Sequence, residues 1–261
     1  MIRTLIQLAR KGIATRDDLF PDLPDYNRGL PMVTGNECSG CQECVAACPT
    51  KAITLGGDGA VTLDRGLCIA CGACARSCQT GAIAEDRRTT VAVLNREDLI
   101  LPNRPATSAT PEPVTNPIFR RSIHVREVAT GDNATDLEIN AATNPIFDAG
   151  RFGIHLVASP RHADALAVTG PVPRAMQDPL RRCWDAMAEP RIVIAVGAAA
   201  ISGVPWQGGY AEANGVDAIL PVAAYIPGSP PHPWYILHGL LLAMGRVDRP
   251  DAATKNPGKN R

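Results

Sequence analysis

Apolar and polar positions divide the chain into stretches of different period. In residues 1–20, Ile2, Leu5, Ile6 and Leu8 alternate with Arg3, Arg10 and Lys11 at a spacing that predicts a short amphipathic helix. Residues 21–31 are broken by prolines and read as a strap without regular structure. From 34 to about 86 the punctuation is cysteine, with room in each of two similar halves for a short helix and a short strand. Residues 95–117 contain Pro102, Pro105, Pro111, Pro113 and Pro117 among Ser and Thr, the composition of a semi-extended linker, because each proline fixes φ and removes a donor. Beyond it, the apolar runs 154–158, 165–168, 192–196 and 218–222 suit buried parallel strands. Residues 176–187 and 233–244 have helical length and spacing, and the alternation predicts an α/β layered domain. The polar end from Asp248 reads as frayed. The expected division is a helix and strap (1–33), a cysteine-rich domain (34–90), a linker (91–117), an α/β domain (118–248) and a tail (249–261).

Composition narrows the class. Lys plus Arg number 26 and Asp plus Glu 26, so no net field draws the chain to nucleic acid. Aromatics are 4%, which leaves the core to aliphatic side chains. There is no apolar run of about eighteen residues, the length that spans a bilayer. Residues 1–10 lack the apolar segment and small-residue cleavage site of a secretory signal, so a reducing, cytosolic setting is expected. No G-x-G-x-x-G or G-x-x-x-x-G-K-[ST] motif points to a nucleotide, and no nucleophile–base pair points to a catalytic residue of the chain's own.

Eight of the nine cysteines lie between Cys38 and Cys78. Cys38, Cys41, Cys44 and Cys48 follow the spacing C-x2-C-x2-C-x3-C, and Cys68, Cys71, Cys74 and Cys78 repeat it thirty residues later. Zinc sites built from paired CxxC motifs do not use three cysteines spaced by two with a fourth after three more. The repeated pattern resembles the bacterial two-cluster ferredoxin, and the resemblance implies two [4Fe-4S] clusters. In that pattern the fourth cysteine of each run ligates the other cluster, which pairs Cys38, Cys41 and Cys44 with Cys78, and Cys68, Cys71 and Cys74 with Cys48. Small residues at Gly40, Gly72, Ala70 and Ala73 would let backbone N–H groups approach the sulfurs. Gln79 replaces the proline that follows the fourth cysteine of the first run, a departure that removes no ligand.

The second domain carries its own resemblance. RFGIHLVASPRHADALAVTGP (151–171), IAVGAAAISG (194–203) and YIPGSPP (225–231) are similar to the small subunit of energy-converting membrane-bound [NiFe] hydrogenases and to its relative in respiratory complex I. The likeness covers nearly all of 118–245, and the cysteine-rich part resembles the ferredoxin subunit of the same complexes. The chain thus reads as a fusion of the two: an α+β ferredoxin-like domain followed by an α/β flavodoxin-like domain with a small parallel sheet.

The family's small subunit holds one further cluster on four cysteines, whose positions here are Asp132, Thr135, Ala199 and Ser229. Alanine offers no donor and hydroxyls are poor ligands for cluster iron, so no third cluster is expected. Cys183 reads as a packed thiol. Arg161 and His162 are candidates for a subunit interface or plain surface residues. Asp136 and Glu138 suit a helix start, which favours acids, over a proton-carrying role. His124, His155, His232 and His238 show no ligand spacing and read as structural. The resemblance implies an electron-transfer subunit, cytoplasmic and peripheral on the inner face of the membrane, with a hydrogenase-like or complex I-like large subunit and antiporter-like membrane subunits as partners. The alternative is a docking subunit whose clusters are dispensable.

Overall fold

The structure, a computed structural model, describes residues 2–11, 18–57, 59–102, 117–131 and 134–247. The sequence repeat is written into the backbone. Helix α1 (Ile2–Lys11) and strand β1 (Leu30–Val33) precede helix α2 (Glu43–Ala47), β2 (Ile53–Leu55) and β3 (Val61–Asp64). Helix α3 (Ala73–Ser77) and β4 (Ile83–Asp86) repeat α2 and β2 thirty residues on. Left-handed residues recur at the same offset: Gly40 and Ala70, Gln42 and Gly72, Lys51 and Gly81. Three of these six are not glycine, and the conformation costs an L-residue about 1 kcal/mol or more, so the cysteine loops impose it. β1 pairs antiparallel with β4, and β2 with β3, around Ile53, Leu63 and Ile83.

A short β5 (Ile100–Leu101) adds to β3 before the chain enters the second half. There follow β6 (Ile123–Ala129), α4 (Thr135–Ala141), β7 (Ile154–Leu156), β8 (Ala165–Thr169), α5 (Arg174–Asp185), β9 (Ile192–Val196), α6 (Ala198–Ser202), β10 (Ala224–Ile226) and α7 (Pro233–Ala243). The five strands form one parallel sheet in the order β10-β9-β8-β6-β7. Counted within the sheet, that is the flavodoxin-like order, whose chain reverses direction between β6 and β8. β8 and β9 are buried at every position, which is why they appear in the sequence as unbroken aliphatic runs.

Three expectations need revision. Residues 218–222 are not a strand: Val216–Ala218 is a 3-10 turn, and the strand begins at Ala224. Pro221 cannot donate to a ladder, and it is exposed together with Ala218, so only Leu220 of this apolar run is buried and the run fits a turn better than an interior strand. The strap ends in regular structure, since Leu30 and Pro31 belong to β1. The beginning of the expected linker is packed: Val91, Ala92 and Leu99 are buried, and Val93 exchanges two backbone hydrogen bonds with Tyr225, at 3.0 and 2.8 Å. Residues 12–17 of the predicted N-terminal helix, 103–116 of the linker, and the tail lie outside the described residues.

Helix α7 is apolar around its whole circumference because it is covered on both sides. Its Ile236, Leu237, Leu240 and Leu241 share one core with Ile194 and Ile226 of the sheet and with Leu23, Leu30, Val91 and Ala92 from the N-terminal half. Gly239 is where the packing is closest. A Cβ there would lie 2.4 Å from Ile226 Cγ1 and 3.1 Å from Ala92 Cβ. An exposed mid-helix Gly→Ala change gains about 1 kcal/mol, but overpacking costs about 1–3 kcal/mol, so Gly239→Ala is expected to destabilise the fold. Urea denaturation checks the sign.

Candidate functional site

Each cysteine run bends through two left-handed residues, then enters a five-residue helix that carries its third thiol inward. Cys38, Cys41 and Cys44 line one hollow, and the thiol that joins them is Cys78 from the other run; Val45, Leu55, Val61 and Ile83 complete the wall. Cys68, Cys71 and Cys74 lie within electrostatic reach of one another and of Cys48. Among the described residues, no three His, Cys, Asp or Glu side chains converge closely enough to grip a single metal ion. All eight donors are thiols, the donor type that a polynuclear iron–sulfur group takes.

The first and fourth sulfurs of each run receive a backbone donor. Gly40 N–H donates to Cys38 Sγ at 3.4 Å and Ala70 N–H to Cys68 Sγ at 3.3 Å. Ala52 N–H reaches Cys48 Sγ at 3.2 Å, and Ile83 N–H reaches Cys78 Sγ at 3.4 Å. The hydroxyls of Thr50 and Thr80 lie 3.7 and 3.8 Å from the same two sulfurs. Burial pushes the Cys68 thiol up to about 12 and Cys74 to about 11. Cys44 is also raised, by burial first and then by Cys78. Cys78 ends below the ordinary thiol value: burial opposes this, but the Ile83 N–H and the Thr80 hydroxyl outweigh it. At neutral pH the buried members carry protons in the metal-free protein, so metal binding must release them.

The peptide leading into Cys68 is anchored more firmly than its counterpart. The buried Arg65 donates to Pro31 O at 3.0 Å and to Asp86 Oδ2 at 2.6 Å. Asp64 accepts from Gly66 N–H at 2.8 Å and from Arg96 at 2.8 and 2.9 Å. Ser202, at the end of α6, donates its hydroxyl to Gly66 O at 2.7 Å and so joins the second cysteine run to the sheet domain. Sequence spacing could not have found these partners, since Arg65 and Asp86 are 21 residues apart and Ser202 and Gly66 are 136 apart.

Three of the positions where the resemblance places a further cluster, Thr135, Ala199 and Ser229, follow the carboxyl ends of parallel strands, where open α/β sheets bind ligands. Thr135 and Ala199 are buried and Ser229 is half-buried. A Cβ on Gly197 would lie 3.1 Å from Thr135 Oγ1 and 3.4 Å from Gly228 O, and Ala198 N–H donates to Gly228 O at 2.7 Å. Asp132 lies outside the described residues. Asp136 and Glu138 occupy the first turn of α4. Arg161 and His162 are exposed on a 3-10 turn, while Asp164 accepts from the His124 backbone N–H at 2.7 Å. Cys183 is half-buried on α5 against the core.

The histidines differ from one another. His124 and His155 are register partners on β6 and β7, with ring centroids 5.5 Å apart. His238 is buried and its Nδ1 accepts from Ala92 N–H at 3.2 Å. Burial lowers its pKa to about 4, so the unfolded chain takes up the proton first. This contribution to stability is complete above about 6.5, is lost as pH falls from there toward 4, and amounts to about 3 kcal/mol. His238→Gln keeps a neutral acceptor and is expected to flatten that part of the pH profile, measured by urea denaturation between pH 7 and 5.

Two family models match the chain. Residues 37–82 match the 4Fe-4S dicluster domain, and residues 133–243 match NADH ubiquinone oxidoreductase, 20 Kd subunit. The probable membrane-bound hydrogenase subunit mbhJ of Pyrococcus furiosus is 43% identical over 129 residues, 49% of this chain and 77% of that protein. The chain belongs to this 20 kDa subunit family. It also carries the iron–sulfur domain that the eight thiols describe. Formate hydrogenlyase subunit 7 of Escherichia coli is 43% identical over 142 residues, 54% of this chain, and the match spans only 55% of that relative. An NADH-quinone oxidoreductase subunit of Phocaeicola vulgatus is 45% identical over 112 residues, 42% of this chain and 57% of that protein. The expected fusion of an iron–sulfur domain with a hydrogenase and complex I type subunit fits these matches. No helix of the described residues is long and apolar enough to cross a membrane.

Proposed function

We propose that this chain is an electron-transfer subunit of a membrane-associated oxidoreductase complex related to energy-converting hydrogenase and complex I, relaying single electrons through two [4Fe-4S] clusters. Cys38, Cys41, Cys44 and Cys78 would hold one cluster, and Cys68, Cys71, Cys74 and Cys48 the other. Bound there, each cluster supplies a one-electron couple. The chain's own residues do the rest. The N–H groups of Gly40, Ala52, Ala70 and Ile83 stabilise the anionic sulfurs, and the Val45, Leu55 and Val61 side chains keep water from one site. The exposed Cys41 is the edge closest to solvent, while Ser202 holds the second run against the sheet.

The observation that carries this reading is that Cys78, from the other run, lines the hollow of Cys38, Cys41 and Cys44. Peripheral attachment through a large subunit of the hydrogenase or complex I type, with antiporter-like membrane subunits beyond it, belongs to the same proposal. The proposed complex uses no nucleotide and no nucleic acid on this subunit.

Iron and acid-labile sulfide per chain, measured on anaerobically purified protein together with EPR after reduction, test the proposal. About eight irons and two interacting [4Fe-4S] centres are expected. About twelve irons would restore a third cluster and refute the reading of Thr135, Ala199 and Ser229; about four or fewer would refute two clusters. A docking subunit with dispensable clusters is favoured by those same three thiol-free positions. It predicts that Cys44→Ser leaves electron flow through the isolated complex intact, whereas the relay predicts that flow stops while assembly survives.

A further inference from the structure

We infer that Arg28 and Arg76, which meet on the Cys71 carbonyl, make the Cys48–Cys68–Cys71–Cys74 site the easier of the two to reduce. This rests on the two-cluster reading above. The internal duplication supplies its own control, because equivalent positions thirty residues apart have diverged in charge. Glu43 in the first run corresponds to Ala73, Ala46 corresponds to Arg76, and Glu37 corresponds to Leu67. Lys51 follows Cys48, which belongs to the second site, whereas Gly81 stands at the matching place after Cys78.

The geometry adds one arginine from outside the repeat. Arg28 Nη1 donates to Cys71 O at 2.9 Å and Arg76 Nη1 donates to it at 3.2 Å. Glu85 also approaches, since a Cβ on Gly72 would lie 3.1 Å from Arg76 Nη1, 3.3 Å from Arg28 Cδ and 3.7 Å from Glu85 Oε1. One carboxylate against two guanidiniums leaves the spot positive. Arg65 and Arg96 are already occupied by Asp86 and Asp64 at 2.6 and 2.8 Å. On the other site the nearby charge is Glu43, which accepts from Gln79 at 3.4 Å.

Burial works in the opposite direction, because reduction adds negative charge and a dry site resists it. The second site is the drier of the two: Cys68 and Cys74 are both buried, at 8% and 7% exposed, whereas on the first site only Cys44 is, at 7%, and Cys38, the counterpart of Cys68, is half-buried. Cys41 is likewise exposed where Cys71 is half-buried. The reversal of local charge is expected to outweigh this difference at two thiols, and a redox titration decides it. When an electron passes between the sites, the first is oxidised and the second reduced by one electron, with no bond formed and no proton needed. The electron then rests on the site that Ser202 ties to the sheet domain.

The test is an EPR-monitored redox titration of the full chain, purified anaerobically, with a chemical one-electron reductant and mediators. In Arg28→Gln/Arg76→Gln, one cluster is expected to become about tenfold harder to reduce, 59 mV for a one-electron couple, while the other hardly moves. Arg76→Lys keeps the charge and is expected to retain most of the wild-type value. Both arginines are exposed, so the shift should shrink as salt rises. Glu43→Gln is expected to ease reduction of the other cluster. Iron near eight per chain with unmoved potentials, or both substitutions acting on the same cluster, would overturn the arginine assignment alone. Iron well below eight in the wild type would overturn this inference together with the two-cluster reading.

Discussion

Replacing Cys78 by serine is expected to remove the cluster held mainly by the other run, halving iron from about eight to about four per chain. A hydroxyl is a poor donor for cluster iron, and Cys78 Sγ faces the hollow lined by Cys38, Cys41 and Cys44. Combining substitutions decides the pairing without any need to assign spectra. Cys44→Ser added to Cys78→Ser should take little further iron, because the proposal gives both thiols to one cluster. Cys74→Ser added to Cys78→Ser should bring iron close to zero. The reverse pattern would show that each run holds its own cluster and would refute the exchanged ligands. Cys48→Ser provides the mirror experiment, expected to spare the first site and empty the second.

The second large effect is on stability. Asp86→Asn is expected to cost about 3–5 kcal/mol, the usual penalty for breaking a buried ion pair from one side. Arg65 is 6% exposed and Asp86 2%, so the amide would leave a guanidinium buried without its counter-charge. Arg88→Gln should cost much less, because Arg88 reaches water and Asp86 retains Arg65. Burial raises the Asp86 pKa, but the hydrogen bonds and charges of Arg88 and Arg65 outweigh it and hold the carboxyl below its ordinary value. The unfolded chain therefore binds the proton at higher pH than the folded one. The stabilisation is complete above the ordinary aspartate range and is lost as pH falls through the lower folded value. Guanidinium denaturation of wild type and Asp86→Asn should accordingly converge in strong acid and separate toward neutrality. Parallel curves would remove the charge from the explanation.

The cysteine runs were legible because eight thiols at a fixed spacing leave a signal that packing does not blur, and their thirty-residue repeat reappears in the left-handed residues. β8 and β9 were legible because burial on both faces makes them uniformly aliphatic. β6 was missed although it lies inside the sheet, since Arg126 and Glu127 interrupt its apolar pattern. Residues 218–222 misled for the opposite reason, an apolar run spent on a turn with Pro221 in it. Packing across the two halves left no local signal. Val91 and Ala92 sit in a segment that reads as linker, yet Val91 shares a core with Leu240 and Ala92 lies against Gly239, both distant in the chain. Contacts of that kind depend on how α7 is covered, which no window of sequence contains.

The hydroxyl of Ser202 on the carbonyl of Gly66 has a consequence in time. The ribosome makes residue 66 and the cysteines beside it well before it makes residue 202, 136 residues later. At about 5–20 residues per second, that is an interval of about 7–27 seconds. During it the second cysteine run exists without the helix that later holds the peptide leading into it. Iron and sulfide delivered to the nascent chain within that interval would meet a loop whose entry peptide is still untethered; delivered afterwards, they meet one already tied to the sheet domain.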